Sequence, residues 1–267
     1  MYSDCHIHCR RDARGADILR AMDAREMKKA VLIAPHMTGS AEQVVESIGI
    51  IEAVCAPDRE RLVGFAFLEP ALPAGPDHVR IAADKGLRGV KLMPDHWYPY
   101  EERLFPTYEA IQEARLPVMF HSGILWGNMD SSRFCQPVNY EVMMHFPKVK
   151  FALAHISWPW TDECLAVAGR MRAAAGRGEG RQMQMFVDIT RGTPAPWRTD
   201  ALDKALKYVG AGQLIYGSDV SAPGDFAWSR RCLEEDRQIM CGVLGRTDAE
   251  FEKVARANLE EFLTPFA

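Results

Sequence analysis

The chain has 267 residues, 48% hydrophobic and 25% charged, with 32 Lys and Arg against 36 Asp and Glu for a formal charge of -4. That composition supplies a full core and argues against disorder, and the interspersed signs leave no basic patch for nucleic acid or anionic membrane. The start MYSDCHIH lacks the basic and apolar regions of a signal peptide, and no run reaches the ~18 to 20 apolar residues of a membrane helix, so a cytoplasmic protein is expected.

Along the chain, short apolar runs recur: YSDCHIH (2–8), KAVLIA (29–34), LVGFAFL (62–68), LRGVKLM (87–93), LPVMFHS (116–122), VKFALAH (149–155), MQMFVDI (183–189) and QLIYGSD (213–219). Most are nearly continuous in apolarity, as parallel strands covered by helices should be. Between them lie helical stripes. In SAEQVVESIGIIEAV (40–54), Val44, Val45, Ile48, Ile51 and Val54 keep to one face, and Ser40 with Gln43 forms a capping-box pattern. Similar stripes occupy 161–175, 199–209 and 226–240, and the last helix, 247–263, opens on a second box, Thr247 with Glu250. GRGEG (176–180) follows a helix and precedes a strand, the reverse of a phosphate loop, and is expected to be a plain turn. Strands and helices alternating about every 30 residues predict an α/β fold, one (β/α)8 TIM barrel spanning 1–267 as a single domain. Seven scattered cysteines without a CxxC pair fit a reduced compartment.

The long loops all follow strand ends on one side, the face that carries the active site in such barrels. There, DCHIHCR (4–10) draws attention. On a regular strand Asp4, His6 and His8 point together into the barrel, while Cys5 and Ile7 point outward. HxH alone is a weak metal signal. His121, His155 and Asp219 strengthen it, because each ends another strand at the same rim. His36, His78, His96 and His145 fall in loops or helices and are expected to be solvated, with only His96 within reach of the site. Imidazoles with one carboxylate suit zinc, and also manganese, iron or cobalt.

DxHxH, the lysine of GVKLMP (89–94), FHSG (120–123), LAHIS (153–157) and YGSD (216–219) together resemble the amidohydrolase superfamily, more narrowly the amidohydrolase-related branch that includes aminocarboxymuconate-semialdehyde decarboxylase. ANLEEFL (257–263) is similar to that branch's C-terminal helix. The resemblance implies one divalent ion, Zn2+ first, held by His6, His8, His121 and Asp219. His155 would sit beside it, orienting water or substrate. In binuclear relatives the lysine matching Lys91 is carboxylated and bridges two ions. An unmodified Lys91 contacting substrate and a structural ion pair are the other readings.

Such a ligand set leaves a position for water, whose pKa an ion lowers toward ~7. Asp219 is then the candidate proton acceptor and His155 the candidate for steering hydroxide or stabilising an oxyanion. Asp4 is expected to fix a ligand's orientation. Arg191 is a candidate for pairing with a substrate carboxylate, or else a surface salt bridge. Trp97, Tyr98, Tyr100, Trp126, Trp158, Trp160 and Trp197 crowd the same loops, with Trp126 and Trp158 as candidates for the substrate pocket. The expected function is a metal-dependent hydrolase of a small carboxylated lactone or amide. The alternatives are a nonoxidative decarboxylase of an unsaturated or aromatic acid and a non-catalytic acid-binding barrel. The partner is a small molecule, with no nucleic acid or membrane, and a homo-oligomer remains open.

Overall fold

Runs of buried β-branched and aromatic residues form short parallel strands, and the computed structural model, which describes residues 1–127, 132–176 and 184–266, arranges them as a TIM barrel. The strands are β1 (Tyr2–Cys9), β2 (Met27–Ile33), β3 (Leu62–Phe67), β4 (Gly89–Leu92), β5 (Val118–Phe120), β6 (Phe151–Leu153), β7 (Met185–Asp188), β8 (Leu214–Ile215) and β9 (Val220–Ala222). Each of β1 to β7 pairs with the strand that follows it, and β9 lies on the free edge of β1. Helices α1 (Gly15–Asp23), α2 (Ala41–Cys55), α3 (Gly75–Asp84), α4 (Phe105–Glu113), α5 (Thr161–Ala175), α6 (Ala195–Tyr208) and α7 (Phe226–Arg237) follow the strands, and α8 (Asp248–Glu252) and α9 (Asn258–Leu263) end the chain. Most of the expected GRGEG turn, 177–180, lies outside the described residues, as does residue 183.

The two expected capping boxes differ in outcome. Thr247 and Glu250 form a reciprocal capping box, whereas Ser40 receives the Gln43 amide but the Gln43 side chain turns to the Gly39 N–H instead. Between α8 and α9 the backbone widens into a short π-helical stretch, Lys253–Ala257, so the expected single helix over 247–263 is three joined segments. All seven cysteines are free and six are buried.

The eighth strand departs from expectation. It breaks between β8 and β9, and Asp219 at the break has a left-handed φ of 63°. β1 still closes the barrel across this gap. Cys5 N–H donates to the Tyr216 carbonyl (2.9 Å), Asp219 N–H to the His6 carbonyl (2.9 Å) and Arg10 N–H to the Ala222 carbonyl (2.8 Å). Gly217 makes this approach possible, since a Cβ there would lie 2.5 Å from Thr190 Cγ2 and 2.9 Å from His6 Cβ.

β1 is irregular as well. Asp4 pairs with Ala30 and Ile7 with Leu32, so three steps of β1 match two of β2. This bulge corrects the expectation that Asp4 shares a face with His6 and His8. The Asp4 carboxylate accepts the Ser229 hydroxyl of α7 (2.6 Å), the Ser218 N–H (3.1 Å) and the His6 N–H (3.0 Å). It stitches backbone to helix and touches no imidazole ring. Cys5, expected to point outward, lies beside Asp188 and Lys91, whose charges act on its thiol.

Asp4→Ala leaves two buried N–H donors unpaired, at about 1–3 kcal/mol each. Urea denaturation should therefore show a loss of roughly 2–6 kcal/mol, and a change within error would remove Asp4 from this role.

Candidate active site

The C-terminal ends of the strands surround a cavity of about 270 Å³ lined by His8, Lys91, Met93, His121, Ile124, Leu125, Trp126, His155, Trp158, Arg191, Gly192 and Asp219. A larger and more open depression of about 690 Å³ at the other end of the barrel, around Lys28, Arg61 and Glu260, is lined by charged side chains and methionines without a histidine. The chemistry lies in the smaller one.

Three donors converge on its floor. His6 Nε2 is 3.1 Å from His8 Nε2 and 3.5 Å from Asp219 Oδ1, and His8 Nε2 is 3.3 Å from the same oxygen. His6 Nδ1 lies 2.7 Å from the Asp188 carboxylate. A proton on Nδ1 satisfies that contact and leaves Nε2 as a bare lone pair aimed at the other two donors. Donors arranged in this way can share one cation. Donors about 2.0–2.2 Å from one ion sit roughly 3 Å apart, so this triangle fits a divalent metal. His121, the fourth ligand implied by the resemblance, borders the cavity but is not in this group, since its Nε2 faces the Ile124 carbonyl (3.2 Å).

Burial controls the charges. It lowers the His6 pKa, aided by Lys91, and takes His155 down to about 4, so these rings are neutral at pH 7. Burial raises the Asp219 carboxyl, but the His8 hydrogen bond and the neighbouring histidines outweigh it and hold the group below the usual carboxylate range. Lys91 is 1% exposed and burial pulls it down to about 8. Its Nζ lies 3.3 Å from His6 Nε2, and no carboxylate comes within ion-pair distance among the described residues.

The turn after β7 holds two rings at once. Thr190 N–H donates to Asp188 (2.8 Å), Thr190 Oγ1 lies 3.1 Å from His155 Nδ1, and the Thr193 hydroxyl donates to the His155 carbonyl (3.0 Å). Beneath the turn Arg198 donates to the carbonyls of Ile189 (2.6 Å) and Thr190 (3.2 Å) and pairs with both oxygens of Asp236, each residue's side chain being 1% exposed. These contacts oppose strain, because His155, Ile156 and Ser157 are consecutive left-handed residues (φ 63°, 49° and 53°), each costing about 1–2 kcal/mol.

A family model described as Amidohydrolase matches residues 3–263. The chain belongs to the amidohydrolase family. Comparison with curated proteins finds no match. Among solved structures, 2,6-dihydroxybenzoate decarboxylase from Rhizobium is 13% identical with a TM-score of 0.68, covering 98% of both chains. 4-Oxalomesaconate hydratase from Rhodopseudomonas palustris is 15% identical with a TM-score of 0.67, covering 98% of this chain and 95% of that one. 5-Carboxyvanillate decarboxylase from Novosphingobium aromaticivorans is 13% identical with a TM-score of 0.65, covering 92% and 80%. At such identities the likeness establishes the fold. No helix among the described residues is long and apolar enough to cross a membrane.

The other residues singled out in this amidohydrolase sequence are placed as follows. Arg191 borders the cavity, yet its Nη2 donates to Glu235 (2.6 Å) and to the Cys232 carbonyl (3.3 Å) while its buried Nε has no partner among the described residues. Trp126 and Trp158 line the mouth as a stacked pair with centroids 6.5 Å apart, and Trp197 packs on Trp158. Trp97 is buried in the core, and Tyr98 packs on Phe134. His96 pairs with Asp95 outside the cavity lining, and His78, expected in solvent, is 1% exposed. Asp188 was not singled out by the sequence, because one acidic residue ending an apolar run reads as a strand end.

Asp188→Asn removes the charge that orients His6 while keeping its shape. Metal affinity, measured against a competing chelator, should fall about 10–100-fold. Unchanged affinity would mean that His6 does not depend on this contact.

Proposed function

We propose that this amidohydrolase is a metal-dependent hydrolase of a lactone or amide of a small carboxylic acid. The observation that carries the reading is the convergence of His6 Nε2, His8 Nε2 and Asp219 Oδ1 within 4.8 Å of one another at a cavity floor. These three, with His121 as the further donor the resemblance implies, would hold one divalent ion. Zn2+ suits the nitrogen-rich set, and Mn2+, Fe2+ and Co2+ also fit. When bound, the ion supplies Lewis acidity toward a carbonyl oxygen and lowers the pKa of water.

The chain's own groups do the rest. Asp188 keeps the His6 proton on Nδ1 and so its Nε2 lone pair turned toward His8 and Asp219, which line the cavity. Asp219, beside the two imidazoles on the cavity lining, is the carboxylate placed to accept a proton from water. Lys91, buried and without an anionic partner among the described residues, offers a cation to substrate rather than a structural ion pair. Trp126 and Trp158 give a flat molecule an apolar wall beside it. Arg191 on the lining is held by Glu235, so Lys91 is the cation the cavity offers to an anionic substrate.

That same cation supports a second reading, nonoxidative decarboxylation of a small unsaturated or aromatic acid. Two of the structures of similar fold are named as decarboxylases, one of them with bound manganese. The proposed partner is a small molecule in either case, and a homo-oligomer is compatible with both.

Elemental analysis of protein purified without chelator or histidine tag should find one divalent ion per chain. His6→Ala should lose most of it, and full occupancy in that variant would overturn the proposed centre. Screened against lactones, amides and carboxylates, ring opening with proton release supports hydrolysis, whereas CO2 release replaces it with the second reading.

A further inference from the structure

Three indoles lie in a row at the mouth of the cavity, and two of them belong to its lining. Trp126 and Trp158 border the cavity, whereas Trp197, on the first turn of α6, is outside the lining and packs on Trp158 with centroids 5.4 Å apart. The row therefore starts at the cavity and runs out along the β5–β7 side of the rim. Its ends are open to water, Trp126 being 72% and Trp197 52% exposed. Exposed rings elsewhere carry a cation, since Arg231 lies over Trp228 at 5.5 Å and Arg172 over Tyr208 at 5.3 Å. Among the described residues no lysine or arginine covers the three rings at the mouth.

The row is built in advance. Ile124 N–H donates to the Trp158 carbonyl (2.9 Å) and so ties the loop that bears Trp126 to the loop that bears Trp158. Gly123, with φ 102°, permits this approach, because a Cβ there would lie 2.4 Å from the Trp158 carbonyl oxygen. The planes of Trp126 and Trp158 are 14° from parallel. Faces already held in place lose little freedom when a ring is laid against them. Near-parallel faces suit a flat ring, which lies along both, better than a compact cation, which rings must surround.

The cavity itself is small. Its volume of about 270 Å³ is below the roughly 300–1,000 Å³ of sites that enclose a drug-sized ligand. An acid larger than one small ring extends past the mouth, and on the β5–β7 side it meets the indoles. We propose that Trp126, Trp158 and Trp197 form a second subsite, which takes an uncharged flat ring of the substrate while the anionic head occupies the cavity. The substrate class is then a two-part acid. The anionic head rests on the proposed function, whereas the ring subsite is the same whichever bond breaks.

The test is calorimetric binding of benzoate and of 4-phenylbenzoate, the same acid with a second ring, to the zinc-loaded full chain. The two-ring acid should bind about tenfold more tightly. Trp197→Ala should bind the two acids alike, and Trp197→Phe, which keeps a ring, should restore most of the preference. Equal affinities in the wild type, or a preference that survives in Trp197→Ala, overturn the subsite. Sedimentation of the same samples addresses the other occupant: a dimer that falls to monomer in Trp197→Ala would assign the indoles to a second copy of the chain and overturn the proposal. Benzoate binding with no gain from the second ring strikes the subsite and leaves the cavity reading standing, whereas binding of neither acid removes the anionic head and the proposed function with it.

Discussion

The architecture turns on how the barrel closes. A continuous eighth strand would pair with β1 along its length and leave Asp219 in an extended backbone. Instead the strand breaks, Asp219 takes a left-handed conformation, and its N–H is given to the His6 carbonyl. One backbone hydrogen bond therefore fixes the distance between two of the three converging donors. The buried Asp4 carboxylate secures the break by joining the His6 and Ser218 amides to Ser229. A buried acid with that many donors is well satisfied, and replacing it would leave donors in an apolar setting.

The second organising element is the turn after β7. Asp188 orients His6, Thr190 contacts His155, and Arg198 with Asp236 holds the turn from below. A fully buried ion pair contributes little net stability compared with apolar packing, because both charges give up water. Its place here is better understood from what it touches. The guanidinium occupies the two carbonyls next to Asp188, which would otherwise be free to rotate the turn and carry Asp188 and Thr190 out of line with their rings. The cost of burying charge is offset by the precision of two imidazoles.

Much of this was legible in the sequence. Apolar runs at regular intervals pointed to the barrel because parallel strands are buried on both faces and show it in composition alone. HxH and the strand-end residues drew His8, His121, His155 and Asp219 to one rim because residue order fixes which strand ends are neighbours. The strict alternation applied to β1 failed at Asp4 and Cys5, since a bulge changes the facing of residues without leaving a mark in residue type. Asp188 escaped notice for a related reason: its importance lies in a contact with a residue 182 positions away, and nothing local distinguishes it from any acid at a strand end. The aromatic loops were only partly readable, because Trp97 and Trp126 share a residue type while one is buried in the core and the other is 72% exposed.

That exposed indole has an optical consequence. Trp126 stacks on Trp158 at the mouth of the cavity, and Trp197 extends the cluster. Anything that enters must displace water from beside these rings, so their emission responds to occupancy whether or not a bond is broken. The protein carries its own fluorescent reporter, placed where a ligand can be sought before its reaction is known.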